Sequence, residues 1–151
     1  MQDENIENVI SGFAWFDENE NGQKDKTEEF AKGIKVHLQK SGETLKTTQT
    51  NTNGFYNFSN IEPGKYTIIF EYDGEKYTVT TYNQTDSNTA IVSKGIEVKE
   101  GKSTSNEIEI SNFNIENINL GLVVKQKFNE TINYLKEKPR DLFPRFLKYA
   151  F

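Results

Sequence analysis

Short runs of alternating apolar and polar residues fill most of this chain, separated by clusters of Gly, Asn, Asp, Ser and Pro. Residues 9–16 (VISGFAWF) mix β-branched and aromatic side chains and read as a first strand. In 34–39 (IKVHLQ) Ile34, Val36 and Leu38 share one face, and Lys35, His37 and Gln39 share the other. A turn at 40–43 (KSGE) leads to a thinner strand at 43–50, and NTNG (51–54) turns the chain into FYNFS (55–59). There Tyr56 and Phe58 lie on one face. After Glu62-Pro63-Gly64 comes the strongest strand, 65–72 (KYTIIFEY), which stacks Tyr66, Ile68, Phe70 and Tyr72 on one side. Asp73-Gly74 reads as a hairpin turn into 75–82 (EKYTVTTY).

Beyond a polar loop at 83–88, weaker strands fit 89–92 or 95–98, then 105–110 and 115–123. Short strands at roughly ten-residue spacing predict an all-β, immunoglobulin-like or prealbumin-like two-sheet β-sandwich over residues 9–122, after a polar lead at 1–8. The period then changes. Phe128, Ile132 and Leu135 recur at spacings of four and three, so 124–138 is expected to be a C-terminal helix that Pro139 ends. The rest of the 123–151 extension, basic and aromatic, fits an interdomain connection, part of a following domain or a non-native tail.

Between the first two strands lies a stretch that breaks the pattern. Residues 17–33 (DENENGQKDKTEEFAKG) are polar, carboxylate-rich and longer than an ordinary connection. Its first twelve residues, Asp17 to Glu28, match D-x-[DN]-x-[DN]-G followed by five residues and Glu, the calcium-loop pattern. Calcium takes six to eight hard oxygens. Asp17, Asn19 and Asn21 can converge from alternate positions, Gly22 permits the bend and Gln23 offers its backbone carbonyl. Asp25 binds directly or through water, and Glu28 closes the sphere with two oxygens. A smaller octahedral magnesium shell suits so many protein donors less well. An EF-hand is not expected, because a strand precedes the loop; a short helical turn around 27–31 is compatible with the sequence and would suit Glu28 and Glu29 near its start. The competing reading is a solvated acidic loop whose Asn and Asp side chains cap turns.

Composition narrows the function. Eleven Phe and seven Tyr supply a core although only 34% of residues are apolar. A net charge of -5 argues against nucleic acid and anionic membrane as partners. With no cysteine, the domain has neither disulfides nor thiolate chemistry, so a metal is one remaining staple. No run of 18 apolar residues could span a membrane, and the acidic N-terminus is unlike a secretory signal.

SGFAWFDENENGQKDKTEE, GIKVHLQ, TNTNGFYNFSNIEPGKY and INLGL together resemble the SdrD B-like repeat of Gram-positive surface proteins, related to Cna B-type domains, over about residues 9–122. The resemblance implies a β-sandwich in a secreted, wall-anchored protein, where calcium rigidifies modules set in tandem with neighbouring domains. It implies that Asp86, Ser87 and Asn88 correspond to an Asp-rich loop of the family that often joins a further calcium site. It also marks a departure. Isopeptide-forming relatives carry a Lys in the first strand, and VISGFAWF has none, so Asn119 in the last strand lacks a cross-linking partner.

No catalytic constellation is legible. His37 is the sole histidine, on the polar face of a strand and far in sequence from any nucleophile, so it reads as a surface residue. Trp15 and Phe16 face opposite sides; Trp15 could mark a ligand surface, but its place in the family pattern implies a core or sheet-packing role. The expected role is a monomeric, calcium-stabilised stalk module outside the cell; the alternative is an adhesin binding a host protein or glycan directly.

Overall fold

The computed structural model describes residues 8–83 and 91–125. Among the described residues ten strands form two sheets: β1 (Ile10–Phe16), β2 (Lys35–Lys40), β3 (Glu43–Gln49), β4 (Phe55–Phe58), β5 (Gly64–Glu71), β6 (Tyr77–Val79), β7 (Ile96–Lys99), β8 (Lys102–Thr104), β9 (Ile108–Ile110) and β10 (Leu120–Val124). The smaller sheet runs β4-β1-β10-β6, the larger β3-β2-β5-β8-β7, with β9 also on β5. These strands pair antiparallel except β1 with β10, and the isolated bridges Ile10–Ile115 and Ser93–Asn119 are parallel too. The described residues are thus all-β, in two sheets.

Alternation builds the core. Ile10 and Ala14 of β1, Tyr56 and Phe58 of β4, and Leu120 and Leu122 of β10 face Val36 and Leu38 of β2 and Tyr66, Ile68 and Phe70 of β5. The Tyr56 and Phe70 rings meet edge to face across the sheets, with centroids 5.8 Å apart. Burial pushes the Tyr56 hydroxyl well above its ordinary pKa, which keeps it a donor to the Ile118 carbonyl at 2.7 Å.

The turns follow their residues. Ser41 and Gly42, at φ 53° and 80°, make the two-residue connection between β2 and β3. At the next corner, the Asn51 side chain accepts from the Asn53 and Phe55 amides.

Three expectations are corrected. Asp73-Gly74 does not turn a hairpin: both edges of β5 are taken, by β2 on one and by β8 and β9 on the other. The chain therefore crosses to the smaller sheet, and 75–82 shrinks to β6, which pairs with β10. The strand expected at 105–110 is β9 alone, preceded by β8. Ser105 interrupts them, its hydroxyl taking over as acceptor from the Ile68 amide. No helical turn forms around 27–31. A turn closes from Asp25 to Glu28, and Phe30 then bridges to Trp15 in extended form. Of the expected 124–138 helix, Val124 instead ends β10, and the remainder from 126 lies outside the described residues. So do Asp86, Ser87 and Asn88.

Candidate metal loop

The loop is tied down at both ends before any ion is considered. The Asp17 amide donates to the Leu122 carbonyl at 2.7 Å, fixing the loop start to β10. The Phe16 amide donates to Glu29 and the Ala31 amide to Ala14, so 29–31 returns alongside β1. A third tie joins its middle to the later chain: Lys24 donates to Ile91 and Ser93 donates to Gly22, around a Gln23–Val92 bridge.

Every side chain expected to ligate takes part in the loop's own bonding. Asp17 is fully buried, and its Oδ2 accepts from the Gly22 amide at 2.7 Å and the Thr80 hydroxyl at 2.6 Å. Asn19 and Asn21 each accept from the amide two residues on, at 3.3 and 2.9 Å. Their Nδ2 groups both donate to Asp25 Oδ2, at 2.6 and 3.2 Å. Glu28, also buried, accepts from the Asp25 amide through Oε1 and from the Asn19 amide through Oε2. Gln23 and Val92 form a pair flanked by bonds rather than sharing them, so the Gln23 carbonyl and amide both point away from Val92. That amide donates to Asn21 Oδ1 at 2.9 Å.

Glycine at position 22 is required twice over. Its φ is +79°, and a Cβ there would stand 2.9 Å from the Thr81 carbonyl oxygen.

One oxygen is left over. Asp17 Oδ1 is buried and has no hydrogen-bond partner. An unsatisfied buried acceptor costs about 1–3 kcal/mol, more when charged. The donor set around the loop holds only oxygens: three carboxylates, two amide oxygens and a carbonyl, the chemistry of a hard cation such as calcium. The carboxylates are nonetheless spread around the ring, and among the described residues no three His, Cys, Asp or Glu side chains gather as a metal-holding group. Donor chemistry and the orphaned oxygen fit calcium; a closed coordination sphere is not formed.

Thr80 is the member sequence reading missed, since nothing in EKYTVTTY distinguishes one threonine from the next. Asn119 has a different role from the one considered. Fully buried, it accepts from the Phe13 amide at 2.8 Å and donates to the Val92 carbonyl at 3.2 Å, clipping β1 to the segment that holds the loop.

Trp15 is buried on the face of β1 opposite Ala14 and Phe16, its ring packed over Gly121. His37 is not isolated either. Its Nδ1 meets the Thr47 hydroxyl at 2.8 Å and its Nε2 meets Glu71 at 2.7 Å, across three adjacent strands. Separation along the chain therefore misled: strand pairing supplies the hydroxyl. These side chains tie strands together on the outer face of the larger sheet.

A two-sheet β module whose first strand runs into an acidic, strapped-down loop is the class that fold and site define. A family model for the SdrD B-like domain matches residues 8–122, and the chain belongs to that family. Serine-aspartate repeat-containing protein C of Staphylococcus aureus strain MRSA252 is 42% identical over 81 residues, 52% of this chain and 9% of that protein. The strain Newman protein of the same name is 46% identical over 63 residues, 41% of this chain and 7% of that one. The chain thus spans less than a tenth of the length of these relatives. Among solved structures, the minor pilin GBS52 of Streptococcus agalactiae aligns at a TM-score of 0.41 and 7% identity, covering 79% of this chain and 45% of that one.

Proposed function

We propose that this chain is a calcium-stabilised structural module of a Gram-positive surface protein, set between neighbouring domains outside the cell. Membership of the SdrD B-like family supports the structural role. The observation that carries the metal is Asp17: a fully buried carboxylate with one unpartnered oxygen, at the first position of a loop whose other donors are all oxygens. Asp17, Asn19, Asn21, Asp25 and Glu28 would hold the ion with side chains, and Gln23 with its carbonyl. Calcium would neutralise the carboxylates and lock the 17–33 connection onto the smaller sheet. The chain's own residues already tie that connection to β10, to β1 and to 91–93.

Thermal unfolding in excess chelator, in millimolar calcium and in millimolar magnesium tests this reading. A ligand at a hundred times its Kd adds about 2.7 kcal/mol. A higher midpoint in calcium than in chelator, with little change in magnesium, is the expected result. Equal midpoints together with no calorimetric binding would remove the metal and leave the fold.

A further inference from the structure

Thr80 reaches Asp17 from the far side of β10, along a path that strand order lays out. In the smaller sheet β10 lies between β1 and β6. Successive carbonyls of a strand point to opposite neighbours. On β10 the Leu122 carbonyl accepts from the Asp17 amide, and the Gly121 carbonyl accepts from the Thr80 amide. Trp15 pairs with Gly121 and Val79 with Leu122, so Trp15, Gly121 and Thr80 stand in one row across the sheet. Asp17, two residues beyond Trp15, shares its face.

Gly121 keeps that row open. A Cβ on it would stand 2.6 Å from the Thr80 methyl carbon and 2.9 Å from the Trp15 ring. With no side chain between them, the Thr80 hydroxyl extends past β10 to Asp17 Oδ2 at 2.6 Å.

The consequence lies in the lone pairs. A carboxylate oxygen offers about two acceptor sites, and on Oδ2 both are taken, by Thr80 and by the Gly22 amide at 2.7 Å. Both donors choose the same oxygen, and Oδ1 is the one left buried without a partner. Gly22 belongs to the loop it helps to shape. Thr80 does not: it is 6% exposed and its backbone is held by β10, so its hydroxyl is a donor set in place by the sheet. Glu28 has no such outside partner among its hydrogen bonds, which come from the loop amides of Asp25 and Asn19.

We infer that Thr80 is a positioning residue for the metal loop: by claiming Oδ2 it turns the Asp17 carboxylate so that Oδ1 alone is open to a cation, and Asp17 serves as a one-oxygen ligand. This rests on the calcium reading above and adds to it a member from outside the loop. The first ligand is thereby aimed by the pairing of β1, β10 and β6 as well as by the loop's own spacing.

Calorimetric calcium titration of the intact chain, with three variants, tests it. Thr80→Val keeps the shape and removes the donor, and is expected to weaken binding about tenfold or more, the worth of a hydrogen bond to a charged group. Thr80→Ser keeps the donor and should bind nearly as the parent does. Thr78→Val removes a comparable hydroxyl–carboxylate bond, to Glu97 at 2.9 Å, from the same strand without touching the loop. It should leave the affinity alone. A second readout needs no ion: in chelator the Gly22 amide should exchange its hydrogen faster in Thr80→Val than in the parent, and Thr80→Ser should restore the parent rate. Calcium binding by the parent that Thr80→Val leaves unchanged would overturn the inference and spare the calcium reading. So would equal weakening by Thr80→Val and Thr78→Val, which would make lost stability the cause. A parent that binds no calcium would overturn both, an outcome the titration of the parent alone reveals.

Discussion

The inner face of β5 and the loop from Asp17 to Glu28 are both buried, but they are buried by opposite means. Tyr66, Ile68 and Phe70 are at most 4% exposed, and removal from water is itself the favourable step for their apolar surface. Asp17 and Glu28 are almost as hidden, yet removal from water costs them free energy that hydrogen bonds must offset. Their oxygens take amide protons from Gly22, Asp25 and Asn19 and a hydroxyl proton from Thr80, and Asp17 Oδ1 has no hydrogen-bond partner among the protein groups. Apolar burial is complete in itself. Carboxylate burial is offset only where each oxygen finds a donor or a cation, and the calcium reading rests on the one oxygen that finds no donor.

The contrast can be broken most forcefully at Phe70. Phe70→Ala deletes a fully buried ring and its edge contact with Tyr56, at an expected cost of about 3–5 kcal/mol. Urea unfolding should show the same loss in calcium and in chelator, because the apolar face needs no ion. A loss that depended on calcium would dissolve the distinction between the two regions.

The next largest effect separates the acids. In saturating calcium, Asp17→Ala and Glu28→Ala are each expected to lower the thermal midpoint by an amount corresponding to about 2–3 kcal/mol, with Glu28→Ala the larger loss. Exposed Glu18 should change it little on substitution. In chelator the deficits of the first two should shrink, since the stabilisation they remove is then missing from the parent protein as well. Deficits equal in both conditions would mean that these carboxylates serve the fold by hydrogen bonding alone.

Much of this was readable from residue order. Tyr66, Ile68 and Phe70 announced a buried face because alternation is a local property, and the Asp17 loop announced itself because its spacing is local too. What failed was everything set by competition between distant segments. Asp73-Gly74 has the composition of a hairpin turn, but β2, β8 and β9 already fill both edges of β5. Thr80 joins Asp17 only because β6 and β10 pair, and Thr47 meets His37 only because β2 and β3 do. The part of the loop that comes from elsewhere in the chain was the part that could not be seen.

Gly22 carries the comparison into the backbone at smaller scale. Gly22→Ala meets both a left-handed φ and the Thr81 carbonyl, and should cost on the order of 1–2 kcal/mol from backbone strain alone. Calorimetry should also show weaker calcium binding, because the Gly22 amide orients Asp17. Gly42 has nearly the same φ, but nothing stands within 4 Å of a Cβ there. Gly42→Ala should therefore cost stability and leave ion binding alone, which makes it the control for strain without loop distortion.

The smallest expected effect belongs to a carboxylate that has found its partner. Glu71 is about a third exposed, 2.7 Å from His37 and 3.6 Å from Lys102. The hydrogen bond from His37 holds its pKa below the ordinary 4.5, and the positive charges of His37, Lys102 and Lys35 add to that, against a smaller rise from desolvation. A folded-state pKa below the unfolded value means that the unfolded chain binds the proton more readily. The stabilisation is therefore present in full above pH 4.5 and is lost as pH falls through the lowered folded value. Exposure and screening limit it to about 1 kcal/mol at most. Glu71→Gln should reduce stability slightly near neutral pH and should flatten this acid-side loss, so that the two proteins converge as pH falls through the lowered folded value. Urea midpoints measured across that range decide it. A gap that stayed constant with pH would show that Glu71 contributes shape and hydrogen bonding rather than charge, unlike the acids of the loop, whose charge is the reason an ion would bind.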